Sequence, residues 1–233
     1  MAGVIHQKTA VLLFANSGKE ELKHKSVEKG SNLFDELTKY TLGEIEKTGL
    51  PFFHLTEKQQ NGNSFGERFT QAIQVIFDKG YDTIITLGND TPHLRANHIL
   101  EANAQLKSKK LVLGPSLDGG FYLMGIHRSQ FRAVSFANLP WQTSKLLKAI
   151  IDWVDIGEEE LIQLQPLIDL DQFHDVRLLS RFRTFSKAVL RLLVQILYRR
   201  VQNYGFVLDF IDFHFLPIPF NKGSPALLAV GVR

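Results

Sequence analysis

Four short apolar runs, separated by helix-length segments, constrain this chain more than any other feature. The runs are Ala10 to Ala15 (AVLLFA), Phe52 to Leu55, Thr83 to Leu87 (TIITL) and Lys110 to Leu113. Short continuous apolar runs of this kind mark strands buried on both faces. Between the first two runs, Leu33, Phe34, Leu37, Tyr40, Thr41 and Ile45 recur at helical spacing and stop near Gly49-Leu50-Pro51. Phe65, Phe69, Ala72, Ile73, Ile76 and Phe77 form a second amphipathic stripe, closed by Lys79-Gly80. A third helical pattern runs to about Leu106. The order βαβαβαβ predicts an α/β fold with a mostly parallel sheet, right-handed crossovers, helices on both faces and ligands at the carboxyl ends of the strands.

With 233 residues and 44% hydrophobic content, the chain can bury one sizeable core. The reading is one domain over residues 1–179 followed by an extension over 180–233. Cysteine is absent, so disulfides, thiolate nucleophiles and Cys-type zinc sites are excluded, and the composition fits a cytoplasmic protein. Met1 to Lys8 carries no basic n-region, and no stretch approaches the roughly 18 to 20 apolar residues of a spanning helix. The net charge of +3 is unevenly placed: Val176 to Leu208 holds seven basic residues and no acid, leaving the remainder at −4. The body is thus mildly acidic, and no nucleic-acid partner is implied. From Ser180 to about Asn203 the basic residues face an apolar stripe that includes Val189, Leu192 and Leu193. Such a helix either docks on the body or a second subunit, or lies at an anionic membrane surface, giving residues 180–216 a contact role.

Three loops carry candidate chemistry. In Leu87-Gly88-Asn89-Asp90-Thr91-Pro92, Asp90 falls at the carboxyl end of a buried strand. A carboxylate there beside a glycine suits a divalent cation shared with phosphate oxygens. The competing reading makes Asp90 the N-cap of the following helix, with Pro92 in its first turn. In Gly114 to Tyr122, Asp118-Gly119-Gly120 reads either as a hairpin turn or as a substrate loop whose glycines clear space while Asp118 accepts a proton from an acceptor hydroxyl. In Leu167-Ile168-Asp169-Leu170-Asp171, alternate carboxylates on extended backbone point the same way and need a cation or water between them. The competing reading is an exposed strand edge or a helix start. Trp141, before Thr143-Ser144, is either a stacking face or core. No nucleophile elbow, Walker loop, dinucleotide fingerprint or zinc-helix histidine spacing is present.

Taken in order, Gly66 to Phe69, Thr83 to Leu94, Leu111 to Ile126, Leu139 to Thr143 and Pro166 to Asp175 resemble the bacterial DUF2064 family. That family is similar to nucleotide-sugar transferases and small nucleotidyltransferases. The resemblance covers about Thr9 to Leu179. It implies a three-layer GT-A-like fold with a helical C-terminal extension, and a site using Mg²⁺ or Mn²⁺ with a nucleoside-diphosphate sugar donor and an acceptor. Carried over residue by residue, Asp90, Asp169 and Asp171 stand at the metal positions. Asp118 stands at the catalytic position. Phe14, Ala15, Lys19, Lys23, Gly88, Asn89, Gly119, Gly120 and Trp141 stand at the nucleotide and substrate positions. One departure is plain: the family's Pro-x-x-Gly-x-x-Lys-Thr-Arg-Leu loop reads here Phe14-Ala15-Asn16-Ser17-Gly18-Lys19-Glu20-Glu21-Leu22-Lys23, without the Pro, Thr and Arg. The resemblance implies a metal-dependent glycosyltransferase, with a nucleotidyltransferase or a non-catalytic binding protein as the alternatives.

Overall fold

The computed structural model describes residues 7–23, 31–108, 111–117, 119–153 and 161–170, together with Val189, Arg191 and Leu192. Asp118, Asp171 and most of the C-terminal extension lie outside the described residues.

A six-stranded sheet forms the middle layer, in the order β2-β1-β3-β5-β4-β6. Its strands are β1 (Thr9–Phe14), β2 (Phe52–Leu55), β3 (Thr83–Leu87), β4 (Leu111–Pro115), β5 (Phe121–His127) and β6 (Leu161–Gln163). β1 pairs in parallel with β2 and β3, aligning Leu13 with His54 on one side and Leu87 on the other. β4 pairs in parallel with β6. β5 is antiparallel to both neighbours, setting Leu123 beside Leu87 of β3 and Met124 beside Leu113 of β4. Five strands therefore run one way and β5 runs back between them. The mostly parallel sheet is as expected, but β4 is not the direct neighbour of β3: β5 follows β4 closely in sequence, pairs antiparallel with it and takes that position. Gly119 has φ +94°, a left-handed conformation that glycine adopts without steric cost.

Helices cover both faces. They are α1 (Gly18–Glu21), α2 (Ser31–Glu46), α3 (Phe65–Asp78), α4 (Ala96–Gln105), α5 (Ala133–Ala137) and α6 (Leu146–Trp153). Alternate strand residues sort to opposite faces, as strand geometry requires. Ala10, Leu12, Ile84, Leu113 and Met124 meet Phe69, Ile73, Ile76 and Phe77 of α3, Phe136 of α5, and Leu146 and Ile150 of α6. Val11, Leu13, Ile85, Val112 and Leu123 meet Ile45 of α2 and Ile99 and Ala102 of α4. Each fully buried aliphatic or aromatic side chain contributes about 1.5–3 kcal/mol, so the double-sided sheet is the main source of stability.

The ends of α3 follow from local chemistry. Ser64 Oγ accepts a hydrogen bond from the Glu67 N–H at 3.1 Å, the Glu67 carboxylate accepts from the Asn63 N–H at 2.7 Å, and Gly80 at φ +89° closes the far end. Helix α4 begins at Ala96 with Arg95 at its N-cap, so Asp90 does not cap it. The turn Thr91 to Leu94, closed by Leu94 N–H on the Thr91 carbonyl at 3.0 Å, separates the two. The polar stretch after β1 holds the short α1, which the hydrophobic pattern does not announce because its burial is contributed by Gly18 and Glu21.

A third apolar cluster lies over α2. Leu33, Phe34 and Leu37 pack with Leu170 and with Val189, which is 2% exposed, while Leu192 packs at the edge. At these two positions the C-terminal segment is seated on the body. Among the described residues, no helix is long and apolar enough to cross a membrane.

Candidate active site

A cavity of about 630 Å³ opens at the carboxyl edge of the five codirectional strands. Phe14 and Asn16 reach it from the end of β1, Gln60 from the loop after β2, and Gly88, Asn89 and Asp90 from the loop after β3. Ser116 and Gly120 come from the β4–β5 turn, Trp141 to Ser144 from the loop before α6, Asp169 from the segment after β6, and Arg68 from the first turn of α3. Every strand-end loop of a parallel sheet emerges on this edge, which is why segments far apart in sequence converge here.

The acidic corner is built by cross-bracing. The Leu170 N–H donates to the Asp90 carbonyl at 2.8 Å, and the Thr91 hydroxyl donates to the Asp169 carboxylate across 78 residues of sequence. Ser116 bridges Leu167, bringing the turn at the end of β4 onto the same segment. Beyond the bridge at Leu167, the segment through Asp169 to Leu170 belongs to no strand. Gly88 makes room for the Asp90 side chain, since a Cβ there would lie 2.8 Å from Asp90 Oδ1. Asn89 is 3% exposed and its amide donates to Thr38 Oγ1 at 2.9 Å, anchoring the loop to α2. The Tyr122 hydroxyl, which donates to the Gln165 carbonyl at 3.1 Å, is pushed up to about 12 by burial and then by the negative charges of Glu101 and Asp169. It stays protonated at neutral pH.

The apolar wall is aromatic. Trp141 sits 5.5 Å from Phe65, 5.3 Å from Phe69 and 4.9 Å from Phe136, centroid to centroid, and its indole N–H donates to the Phe136 carbonyl at 2.9 Å. Trp141 is thus both packed and cavity-lining. Gln142, which follows it, has φ +59°, a left-handed conformation that side-chain-bearing residues rarely adopt and that tends to persist at functional sites.

The loop after β1 is closed by the chain's own carboxylates. The Ser17 N–H and hydroxyl donate to the two oxygens of Glu57 at 2.8 and 3.0 Å, and the Gly18 N–H donates to Asp35 at 2.8 Å. The Ser17 N–H bond, ahead of a smaller opposing effect of burial, holds the Glu57 carboxyl below its ordinary value.

Of the residues singled out by sequence, Phe14, Gly88, Asn89, Asp90, Gly120, Trp141 and Asp169 line this one cavity. Ala15, Lys19, Lys23 and Gly119 are not among its lining residues. Ala15 is buried in the apolar cluster with Leu13 and Ile45, Lys19 and Lys23 are exposed, and Lys23 pairs with Glu20 at 2.6 Å. Gly119 lies under the loop before α6, its carbonyl accepting from the Leu147 N–H at 3.3 Å. Lining residues that the sequence reading did not single out include Arg68, Gln60, Gln142 and Tyr122. For Arg68 a signal was available: the first turn of a helix that follows a strand faces the same sheet edge as the strand ends.

The donor set suits a hard cation. Asp90 and Asp169 supply oxygens, and among the described residues no three His, Cys, Asp or Glu side chains form a cage of their own. One or two carboxylates completed by phosphate and water is the usual arrangement for Mg²⁺, so the residues present fit such an ion.

Among curated proteins none matches the chain. Of solved structures, a "putative nucleotide-diphospho-sugar transferase" from Desulfovibrio desulfuricans G20 superposes with a TM-score of 0.71 at 23% identity, covering 82% of this chain and 98% of that one. Rv0371c from Mycobacterium tuberculosis H37Rv (TM-score 0.49, 14% identity, 74% and 97% covered) is more distant. So is 4-diphosphocytidyl-2C-methyl-D-erythritol synthase from Anaerococcus prevotii DSM 20548 (0.49, 8%, 74% and 96%). Neither likeness bears on function. Residues 47–143 match the family model described as "Uncharacterized protein conserved in bacteria (DUF2064)". The resemblance read from the sequence thus holds over residues 47–143: that stretch carries the DUF2064 pattern, in a chain with the fold of the Desulfovibrio protein.

Proposed function

We propose that this chain is a metal-dependent transferase acting on a nucleoside-diphosphate sugar. The observation that carries the reading is the cross-brace holding Asp90 and Asp169 in one cavity at the carboxyl edge of the sheet. Two carboxylates held together in a site that also admits a diphosphate need a cation between them and the ligand. Asp90 and Asp169, with the neighbouring Asp171, would hold Mg²⁺ or Mn²⁺, which supplies charge stabilisation for a departing diphosphate. Trp141 and its aromatic neighbours offer an apolar face to the sugar or base. Asp118, which falls between β4 and β5 in sequence, is assigned the acceptor hydroxyl, from which it takes a proton as general base. The matching fold of the Desulfovibrio protein supports the reading at the level of architecture.

The test is a thermal-shift panel of nucleoside diphosphates and their sugars, with and without Mn²⁺, on wild type and Asp90→Ala. A ligand at 100 times its Kd adds about 2.7 kcal/mol to stability, so a specific donor is visible as a raised Tm. The expected result is a Mn²⁺-dependent shift for one base that Asp90→Ala removes. Unchanged metal and nucleotide binding in that variant would defeat the assignment.

A further inference from the structure

We infer that Arg68, and not the loop after β1, holds the anionic group of the ligand at this site. The inference rests on the transferase reading and narrows it: the diphosphate of the donor lies toward the first turn of α3.

In the loop after β1, Ser17 and Gly18 have their donors engaged. Ser17 gives both its N–H and its hydroxyl to Glu57, and Gly18 gives its N–H to Asp35. A phosphate entering there would have to displace two carboxylates, each carrying the same sign of charge. The two described cations of that loop do not compensate. Lys19 and Lys23 are exposed and are not among the residues lining the cavity, and Lys23 is paired with Glu20.

Arg68 has the opposite character. It is half-buried, and it is the one basic side chain among the described residues that line the cavity. Its backbone N–H closes the first turn of α3 on the Ser64 carbonyl at 3.1 Å, and among the described residues its guanidinium makes no ion pair. A guanidinium presents five N–H donors in a planar fork that matches phosphate oxygens. Its backbone is held in place by its neighbours. Phe65 and Phe69, on either side in sequence, are both packed against Trp141, and a Cβ on Gly66 would lie 2.2 Å from the Ala137 carbonyl oxygen. Glu21, Asp90 and Asp169 line the same cavity, so an anion entering it needs both a metal ion at the carboxylates and a positive group beyond them. Arg68 supplies that second charge.

The experiment is calorimetric titration of the full chain with inorganic pyrophosphate in the presence of Mn²⁺. It compares wild type, Arg68→Gln, Arg68→Lys and the double variant Lys19→Ala/Lys23→Ala, each shown to be folded by its unfolding midpoint. Loss of a charge-assisted bidentate contact weakens binding by about tenfold or more, so Arg68→Gln falls by that factor, Arg68→Lys falls between it and wild type, and the lysine double variant stays within about twofold. Unchanged binding in Arg68→Gln, a comparable loss in the lysine double variant, or no pyrophosphate binding by wild type would each overturn the inference. None of these outcomes decides the transferase reading, which is scored separately by the sugar-nucleotide and Mn²⁺ response of Asp90→Ala.

Discussion

Leu170 donates its backbone N–H to the carbonyl of Asp90 at 2.8 Å, tying the segment after β6 to the loop after β3. The Leu170 side chain is fully buried against Leu33, Phe34 and Leu37 of α2 and against Val189. The acidic corner is therefore positioned from the hydrophobic cluster beneath it. Packing on α2 is transmitted to Asp90 through one backbone hydrogen bond, and to Asp169 through its chain neighbour.

Thr91→Val tests this brace. Thr91 is 2% exposed and its hydroxyl donates to the Asp169 carboxylate. Valine keeps the shape and removes the donor, so urea denaturation should show a loss of about 1.5–3 kcal/mol, the range for hydrogen bonds to charged groups. Thr91→Ser should retain most of the stability. Equal midpoints for wild type and the valine variant would mean that the brace does not restrain Asp169.

Glu44 predicts a specific acid sensitivity. It is 4% exposed, accepts from the Ala96 N–H at 2.8 Å at the start of α4, and pairs with Lys47 at 2.6 Å and Arg95 at 3.8 Å. Burial pushes its carboxyl up. The bond from Lys47, the Ala96 N–H and the charges of Lys47 and Arg95 outweigh burial and hold it below its ordinary value. A carboxyl lowered by folding contributes stability that is present above its unfolded value and is lost as pH falls through the folded one. In Glu44→Gln the wild-type decline of Tm below about pH 4.5 should be shallower, with a lower Tm at pH 7. Parallel Tm curves for the two proteins would refute the assignment.

Gly66→Ala should disturb the aromatic wall. The added methyl would meet the Ala137 carbonyl oxygen at 2.2 Å and Trp141 Cδ1 at 2.5 Å, so the loop before α6 must move away from α3. Overpacking of this kind costs about 1–3 kcal/mol, and the displaced indole should shift the tryptophan emission. Wild-type stability with an unshifted spectrum would show that α3 and Trp141 are not in this contact.

Much of the layer structure was legible because it is written in local periodicity. The stripe from Phe65 to Phe77 could be read as a helix since each apolar residue lies on one face of a 3.6-residue repeat, and AVLLFA and TIITL as buried strands since both of their faces are apolar. The place of β5 between β3 and β4 is not legible in this way. Strand order depends on which edges pair across the sheet, and periodicity carries no information about partners. The short α1 was missed for a related reason, since its buried residues are Gly18 and Glu21 rather than apolar side chains.

The candidate site divides along the same line. The amino-acid order is sufficient to place Asp90 at the end of a buried strand, to put glycines at the β4–β5 turn, and to mark Asp169 and Asp171 as paired carboxylates, because each is a local pattern. That Asp90 and Asp169 are braced together through Leu170 and Thr91, that Glu57 and Asp35 close the loop carrying Lys19, and that Arg68 lines the cavity instead are relations that rest on contacts 17 to 80 residues apart in sequence. They exist only once the parallel strands bring their carboxyl ends to one edge and burial fixes which polar groups must satisfy one another there.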